Sequence, residues 1–362
     1  MSDRIAKVYC QTFELAMKGS LRWGKASELS KLKHQLIIME SEGGLKAVAE
    51  APVRPTIYGE TLESIAAIVD YLRPSLIGLA CDDVGVIQSI LKSVKNNHTA
   101  RGALDIAFHQ LCAKAKGLDF FKHYLGPNQR LQVSYILGIS EAETMMAEAR
   151  EVFSQGVRVF KIKIGRDAKH DKAIVESLRH EFGNQVILYA DANESLSVKE
   201  VGGRLEHLAH LNIAYVEEPL PVHLIKARAK LKQEAILPII ADDSCFSPED
   251  LSRELDFDTF DILNIKTART GFSDSLKMLD MAKKADKGIM LGSQASSGLG
   301  TLHCALIASQ AGVDYPSELS FPLKLRGDSI KPELRYHEGY LNLADYTQTS
   351  LNLSFSAFND NA

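Results

Sequence analysis

The stretch Val157-Arg-Val-Phe-Lys-Ile-Lys-Ile-Gly165 decides the fold. Its side chains alternate with a period of two. One face carries Val157, Val159, Lys161 and Lys163, and the other carries Arg158, Phe160, Ile162 and Ile164. A strand with apolar side chains on both faces is normally buried on both, as parallel strands are. Two lysines at its end are unexpected, because an unpaired buried lysine is costly. Taken alone, they fit side chains that reach into water; the segments that follow favour a site instead.

Composition excludes several classes of protein. The chain has 362 residues, a net charge of -4 and 45% hydrophobic residues, which is typical of a globular protein long enough for two domains. The mild acidity gives no reason to expect nucleic acid or a membrane as partner. The start lacks the apolar core of a signal peptide, and the chain has no run of about 18 apolar residues. We therefore expect a cytoplasmic protein that acts on a small molecule, and its five scattered cysteines favour reduced thiols.

From about residue 132 the sequence alternates between strand and helix patterns. A first strand is predicted at Val133–Ile139, and further strands are predicted to end near Lys163, Asp191, Glu217, Asp242, Lys266, Ser293 and Glu318. Successive strand ends lie about 25 residues apart, with helical stretches between them. Eight such units predict an α/β fold, a (β/α)8 TIM-like barrel over residues 129–325, rather than an open sheet.

The segments on either side of the barrel have different patterns of predicted strands and helices. Residues 1–128 predict a mixed α+β domain, with strands at 5–15, 34–41 and 45–50 and helices at 62–72 and 101–114. A polar loop is expected at Lys18–Lys25, which holds Trp23, the only tryptophan. Residues 326–362 form a tail with a short strand near Tyr336–Leu343, which we expect to return to the first domain.

Three carboxylates stand at the predicted ends of consecutive strands. In a barrel of this kind, catalytic groups come from the C-terminal ends of the strands. Asp191, Glu217 and Asp242 would therefore converge, and without a counter-charge they would repel one another. A hard divalent cation resolves this, and oxygen-only ligands favour Mg²⁺ or Mn²⁺ over zinc. The alternative is three independent helix caps, since aspartate is common where a strand passes into a helix.

A second basic group comes from the sixth strand, which ends at Lys266. In a ring of eight strands, the second and sixth are opposed, so Lys163 and Lys266 would flank a substrate held on the metal. That substrate is most simply a carboxylate, from which a lysine removes the α-proton while the metal stabilises the enolate. The lysine must be neutral for this step, and we expect burial, the cation and the charge of Lys161 to lower its pKa.

Several motifs together resemble a known family. They are Lys161-Ile-Lys163, Asp191-Ala-Asn193, Glu217-Glu-Pro219, Ala241-Asp-Asp-Ser244, Asn264-Ile-Lys-Thr-Ala-Arg-Thr-Gly271 and Arg54-Pro-Thr-Ile-Tyr-Gly-Glu-Thr61. By these motifs the chain resembles the enolase superfamily and, within it, the muconate-lactonising group of mandelate racemase-like proteins. The resemblance implies an N-terminal α+β capping domain, completed by the C-terminal tail, over the barrel. Enolase-type sites use a lysine or histidine base with Mg²⁺.

The resemblance also implies roles for individual residues. The metal ligands are Asp191, Glu217 and Asp242, the catalytic lysines are Lys161, Lys163 and Lys266, and Asn193, Glu218 and Asp243 support them. Candidate substrate-binding residues are Trp23, Tyr58, Arg269, Ser293 and Glu318. A loop aromatic such as Trp23 is more often surface packing than a substrate contact, and Arg269 could equally be a surface residue at a helix start. The chain departs from the family at Asp243, where relatives commonly have glutamate, and at Gly292–Gly300, which lacks the acidic residue of many relatives. That segment either cradles an anion or is only a tight turn.

The function implied is an Mg²⁺-dependent isomerase, either a racemase or epimerase or a muconate-type cycloisomerase. An acid dehydratase of the same superfamily is the alternative, and a non-catalytic barrel that binds a small acid is the rival from another class. Relatives assemble into dimers and octamers, so a homo-oligomer is expected. The sequence leaves the substrate open among muconates, N-acylated amino acids, dipeptides and proline derivatives.

Overall fold

A computed structural model describes residues 3–23, 27–346 and 352–353. The N-terminal part begins with an antiparallel sheet in the order β1-β2-β3, followed by four helices. Its elements are β1 (Ile5–Trp23), β2 (Ser27–Ser41), β3 (Lys46–Ala51), α1 (Leu62–Leu76), α2 (Gly85–Leu91), α3 (His98–Ala115) and α4 (Phe120–Tyr124). The predicted strands and helices of this region are all present, and several are longer than predicted.

The first hairpin corrects one expectation. The loop predicted at Lys18–Lys25 is wrong for its first six residues, because β1 continues to Trp23, which pairs with Ser27. Residues 24–26 lie outside the described part of the chain. The polar composition of this segment favoured a loop, but it forms a strand in which Met17 and Leu21 are buried while their neighbours face water. Trp23 is thereby placed on a paired strand.

Strand β4 (Arg130–Gln132) precedes the barrel and pairs with the tail, and the seven-stranded barrel sheet follows. Its elements are β5 (Tyr135–Leu137), α5 (Ala142–Ser154), β6 (Val159–Lys163), α6 (Ala168–Phe182), β7 (Ile187–Asp191), α7 (Val201–His210), β8 (Val216–Glu217), α8 (Ile225–Gln233), β9 (Ile239–Ala241), α9 (Pro248–Phe257), β10 (Ile262–Ile265), α10 (Thr267–Lys284), β11 (Gly288–Leu291) and α11 (Gly298–Ala308). The strands are parallel and pair in sequence order from β5 to β11. The prediction of a TIM-like barrel under an N-terminal capping domain is confirmed.

Burial on the two faces of β6 follows its alternation. Val159 packs in a cluster with Tyr189, with Tyr215 and with side chains from three other strands, whereas Phe160 and Ile162 belong to the larger core that includes the surrounding helices. Apolar side chains on both faces therefore bury the strand on both, as the sequence predicts. Lys161 shares the inner face with Val159, and this places its amino group inside the ring.

The eighth strand is reduced to a single bridge, which corrects the predicted strand near Glu318. Ser317 forms an isolated parallel bridge with Val133, and its carbonyl accepts from the Ser134 amide at 2.8 Å. On the other side, the Glu318 amide donates to the Leu291 carbonyl at 2.8 Å. Pro316 precedes this bridge, and proline cannot donate to a strand ladder. These contacts close the ring and leave Glu318 at its rim.

The tail runs back along the molecule. It contains β12 (Ile330–Lys331), β13 (Tyr336–His337), β14 (Tyr340–Asn342) and β15 (Asn352–Leu353). β14 pairs with β13 and with β4, while β12 pairs with β15. The Arg326 amide donates to the Ala16 carbonyl of β1 at 2.8 Å, so the tail contacts the N-terminal sheet. In the described part of the chain, no helix is both long and apolar enough to cross a membrane.

Helix α10 contains a sharp kink where it packs on α3. Gly271 has φ 66° and ψ −166°, a conformation essentially restricted to glycine. The Asp105 carboxylate of α3 accepts from the Phe272 amide at 2.6 Å and from the Ser273 amide at 2.9 Å. A Cβ at position 271 would overlap the same carboxylate. The kink thus joins the capping domain to the helix that follows β10.

We expect Gly271→Ala to destabilise the protein by about 2 kcal/mol or more, since backbone strain of this kind costs about 1–3 kcal/mol before any overlap is counted. Urea denaturation of the full chain measures the effect. Gly203→Ala on the exposed side of α7 is the matched control, because an added Cβ there has nothing within 4 Å. The control should be neutral or stabilising by about 0.5–1 kcal/mol. Equal stability of the two variants would contradict the account of the kink.

Candidate active site

A pocket opens at the C-terminal ends of the barrel strands, beneath the N-terminal sheet. It encloses about 540 Å³ of empty space, counting its open mouth. Its lining includes Trp23, Lys161, Lys163, Asn193, Asp242, Asp243, Lys266, Ser293 and Glu318 from the predicted site, together with Leu21, Arg54, Ile57, Ile136, Gln294, Ala295 and Phe321. Tyr58 and Arg269 are the predicted substrate-binding residues that lie outside this lining. Asp191, Glu217 and Glu218 are buried behind it.

The ends of three neighbouring strands bring the predicted acidic residues together. Within the ladder, Asp191 pairs with Lys163 on one side and with Glu217 on the other. Asp242 follows β9 directly, and all three carboxylates are at most 2% exposed. The strand spacing read from the sequence therefore places these side chains as expected.

Lys161 lies among the carboxylates. Its Nζ is 2.9 Å from Asp191, 2.7 Å from Glu217 and 2.6 Å from Glu318. Burial lowers the pKa of this ammonium, but the three carboxylates outweigh burial and raise it well above the usual value. Lys161 is thus a charged counter-ion held at the centre of the site. Its contact with Glu318 ties the rim of the ring to the acidic cluster.

The other two lysines each contact one acidic residue of the cluster. Lys163 Nζ lies 2.6 Å from Asp191 and 3.0 Å from the side-chain oxygen of Asn193. Lys266 forms an ion pair with Asp242. Burial lowers the pKa of Lys266, yet Asp242 and Asp243 raise it above the usual value overall. For Lys266 to accept a proton, its ammonium must first lose one, and the ion pair with Asp242 opposes that loss.

Crowding of acidic side chains is strongest at Glu217. Burial and the neighbouring Asp191 raise the pKa of Glu217 well above its usual value, and Asp242 adds to the effect. Burial opposes ionisation of Asp242 as well, but Lys266 and Arg269 lower its pKa, and a hydrogen bond from Glu217 contributes. Among the described residues, no three acidic, histidine or cysteine side chains are arranged so as to enclose a metal ion. The lysine ammonium groups instead share these carboxylates.

Glu218 supports the cluster from behind. Its carboxylate accepts from the Asp242 amide at 2.7 Å and from the Ser244 amide at 3.2 Å, and Arg228 lies 3.5 Å away. Burial raises the pKa of Glu218 to about 7, despite Arg228. Its hydrogen bonds fix the backbone at the point where β9 ends, which agrees with the supporting role implied by the resemblance.

Arg269 is buried, so its interpretation as a surface residue is wrong. Its guanidinium donates to the Asp242 carbonyl at 2.7 Å and lies 3.1 Å from the Asp242 carboxylate. The Tyr58 hydroxyl accepts from it at 3.3 Å, and the Phe246 ring lies beneath it at 4.5 Å. These contacts favour support of Asp242 over direct contact with a substrate. Tyr58 connects this support to the capping domain.

The glycine-rich segment after β11 does hold an anion, and that anion is a side chain of the protein. The Glu50 carboxylate of β3 accepts from the Ser297 amide at 3.0 Å and from the Gly300 amide at 3.1 Å, at the start of α11. Earlier in the segment, the Ser293 amide donates to Glu318 at 2.8 Å. The loop is therefore tied to the capping domain on one side and to the site on the other.

Two further residues complete the support of this loop. Arg54 donates to the carbonyls of Gln294 and Ala295 and to His34 Nε2, the last at 3.2 Å. Because arginine only donates, His34 Nε2 must accept, so the proton lies on Nδ1, which is 2.6 Å from Glu50. Burial lowers the pKa of His34, which agrees with a neutral ring. This role of Glu50 was not predicted from the sequence, although a lone acidic residue in the apolar strand Lys46–Ala51 was a signal for it.

We expect Glu50→Gln to lower the free energy of unfolding by about 1–3 kcal/mol, because a glutamine amide cannot accept on both sides from His34 and from the loop amides. Urea denaturation measures the change. The exposed Glu176→Gln on α6 is the control, and it should leave stability within about 0.5 kcal/mol of the wild type. An unchanged unfolding midpoint for Glu50→Gln would contradict this role of the carboxylate.

Comparison with known proteins is consistent with this geometry. Residues 144–347 match the family described as "Enolase C-terminal domain-like", and residues 26–122 match the "Mandelate racemase / muconate lactonizing enzyme, N-terminal domain". The chain is 26% identical to the D-Ala-D/L-Ala epimerase of Cytophaga hutchinsonii, over 86% of this chain and 85% of that protein.

Solved structures agree over nearly the whole chain. A muconate lactonizing enzyme of Mycobacterium smegmatis, complexed with muconolactone, has a TM-score of 0.89 and 29% identity, covering 98% of this chain and 97% of that one. A dipeptide epimerase of Cytophaga hutchinsonii, complexed with Mg and the dipeptide D-Ala-L-Val, has a TM-score of 0.89 at 22% identity, covering 98% and 97%. The second likeness concerns the fold alone.

Proposed function

The chain belongs to the mandelate racemase and muconate lactonizing enzyme family of the enolase superfamily and is an isomerase of that superfamily, and we propose that it removes the α-proton of a carboxylate substrate with the help of Mg²⁺. The reaction proposed is racemisation or epimerisation, or a muconate-type cycloisomerisation. Both classes occur among the relatives described above.

One observation carries the proposal: Lys163 and Lys266 line the same pocket from opposite sides of the barrel. Their strands β6 and β10 are separated by β7, β8 and β9 on one side, and by β11, the closing bridge and β5 on the other. The three buried carboxylates stand at the C-terminal ends of the strands between them. A substrate seated over the carboxylates therefore has a lysine on each face.

The acidic cluster has the donor chemistry of a magnesium site. Asp191, Glu217 and Asp242 would hold the ion after a change in their arrangement, because lysine ammonium groups contact these carboxylates in the described part of the chain. Carboxylate oxygens on neighbouring strands suit a hard divalent cation. The raised pKa of Glu217, which results from burial and repulsion by Asp191, is the kind of strain that a cation relieves. Bound Mg²⁺ would supply positive charge beside the substrate carboxylate, where negative charge develops as the proton leaves. Manganese would fit the same oxygen ligands.

The proposal assigns the proton transfers to the lysines. In racemisation, one of Lys163 and Lys266 takes the α-proton and the other returns a proton to the opposite face. In cycloisomerisation only one lysine handles the proton. Lys161 keeps its positive charge in the acidic cluster, and Arg269 and Glu218 hold Asp242 in place. Leu21, Trp23 and Ile57 of the capping domain line the same pocket as the lysines.

Proton exchange in D₂O tests the proposal. Purified protein with Mg²⁺ is incubated with amino acids, N-acylamino acids, dipeptides and hydroxy acids, and loss of the α-proton signal is followed by NMR. Exchange with inversion identifies a racemase or epimerase together with its substrate class. Exchange with loss of water identifies the dehydratase alternative, in which a general acid assists a leaving group. Muconates are assayed separately for lactone formation. If no carboxylate exchanges and no lactone forms, the proposal fails and the acid-binding barrel is favoured.

A further inference from the structure

The interior of the barrel contains two tyrosines at the same level. Tyr189 on β7 is fully buried, and Tyr215, just before β8, is 6% exposed. Their rings lie 4.8 Å apart, and the side chains packed around them, such as Val159, Ile262 and Met290, are mostly aliphatic. Two hydroxyl groups have therefore been placed in an apolar interior, where each costs free energy unless it is hydrogen-bonded.

The two hydroxyl groups differ in their surroundings. Tyr189 Oη lies 2.7 Å from Ser134 Oγ and 3.2 Å from a carboxylate oxygen of Glu318. A carboxylate only accepts, so Tyr189 donates its proton to Glu318 and Ser134 donates to Tyr189. Tyr215 Oη has no hydrogen-bond partner among the described residues. Of the two rings, only that of Tyr189 connects the barrel interior to the site.

Glu318 is the upper end of this column, which consists of Ser134, Tyr189 and Glu318. The oxygen that accepts from Tyr189 also accepts from Lys161 at 2.6 Å, and the other oxygen accepts from the Ser293 amide at 2.8 Å. The carboxylate is thus fixed from below by the column, from one side by Lys161 and from the other by the loop after β11. Loss of the lower contact would free it to turn.

Movement of Glu318 would change the direction in which Lys161 points. An ammonium group has three protons, and the carboxylates of Asp191, Glu217 and Glu318 each lie within reach of one of them. The direction in which Lys161 points is therefore set by where Glu318 is held. Asp191 and Glu217 share Lys161 with it, so the charge under the pocket depends on the same contact.

We propose that Ser134 and Tyr189 are positioning residues, which hold Glu318, and through it Lys161, in the arrangement that the reaction uses. Neither touches the pocket, and their effect passes through Glu318. The consequence for catalysis rests on the proposed function; the consequence for the placement of Glu318 does not.

Tyr189→Phe and Tyr215→Phe form a matched pair for the test. Each removes one hydroxyl from the same layer, and only Tyr189→Phe breaks the column. With the substrate identified by proton exchange, Tyr189→Phe should lower kcat about tenfold and change KM less than about twofold, since substrate contacts stay in place. Tyr215→Phe should keep both constants within about twofold of the wild type. Ser134→Ala, which leaves both rings intact, should lower kcat about threefold.

Two measurements keep the test decisive. Thermal denaturation establishes that each variant is folded, and if Tyr189→Phe is not, Ser134→Ala takes its place. A wild-type kcat for the variant that breaks the column, or equal losses for the two tyrosine variants, would overturn the proposal. If the wild type exchanges no substrate, the proposed function fails, and crystal structures of the two tyrosine variants then decide. A Glu318 carboxylate displaced only in Tyr189→Phe supports the column, and an unmoved one overturns it.

Discussion

Replacing Lys266 by alanine should abolish racemisation in both directions while leaving α-proton exchange of the enantiomer whose proton faces Lys163. In a racemase with opposed lysines, each lysine faces one side of the α-carbon, so Lys163 can still remove the proton on its own face. We expect kcat/KM for racemisation to fall by about 10³-fold or more in both directions, since positioned acid–base groups contribute about 10²–10⁴-fold and the equilibrium constant ties the two directions together. Lys163→Ala should show the complementary pattern. Exchange in D₂O from each enantiomer, followed separately, measures both.

The relative size of the two effects identifies the reaction. Complementary losses indicate racemisation or epimerisation, whereas a cycloisomerase should depend on one lysine far more than on the other. Lys284→Ala, at an exposed site on α10, is the control for a lost lysine and should leave kcat/KM unchanged. If both pocket variants kept exchange from both enantiomers, neither lysine would be the base and the assignment would be wrong.

The sequence predicted the part of the site that depends on barrel periodicity. Strand spacing and alternation are local patterns, and they were enough to place Asp191, Glu217 and Lys163 beside one another, as the ladder between β6, β7 and β8 shows. A strand was predicted near Glu318 where the structure has a single bridge, because ring closure needs only the contacts around Ser317 and no regular strand. Local pattern cannot distinguish a strand from a single bridge.

Contacts between distant parts of the chain were not predictable in this way. Glu50 lies 247 residues before Ser297, and no local signal connects them. Arg269 has the composition of a helix start at a surface, and only the packing of Tyr58 and Phe246 against it explains its burial. The ion pair between Lys266 and Asp242 was not predictable either, because the sequence shows their separation but not their contact.

The metal ligands can be tested with a variant that should lose function and keep stability. Glu217→Gln preserves the shape of the side chain and an oxygen that accepts from Lys161, which lies 2.7 Å from the glutamate. In metal-free protein it removes an acidic group whose pKa is raised well above its usual value by burial and by Asp191. Such a group costs folded-state stability once it ionises, so the variant should unfold at the same or a higher temperature than metal-free wild type.

The pH dependence has a definite sign. The folded-state pKa of Glu217 is raised, so its contribution to stability is fully present below the unfolded-state pKa and is lost as the pH rises towards the folded-state value. Metal-free wild type should therefore lose stability over this range relative to Glu217→Gln. Urea denaturation in EDTA at several pH values measures the difference, and a parallel pH dependence of the two proteins would contradict it.

Magnesium should reverse the order of stability of wild type and Glu217→Gln. At a concentration of about 100 times its Kd, Mg²⁺ stabilises a protein that binds it only when folded by about 2.7 kcal/mol, so the wild-type melting temperature should rise. Glu217→Gln should show no such rise and should lose about 10³-fold or more in kcat/KM, because the developing negative charge is no longer stabilised. Glu206→Gln, at an exposed site on α7, should respond to Mg²⁺ as the wild type does. An equal Mg²⁺-induced shift of the melting temperature in Glu217→Gln would show that this residue is not a metal ligand. Loss of the shift with retained stability would mean that repulsion among the carboxylates is what prepares the site for the ion.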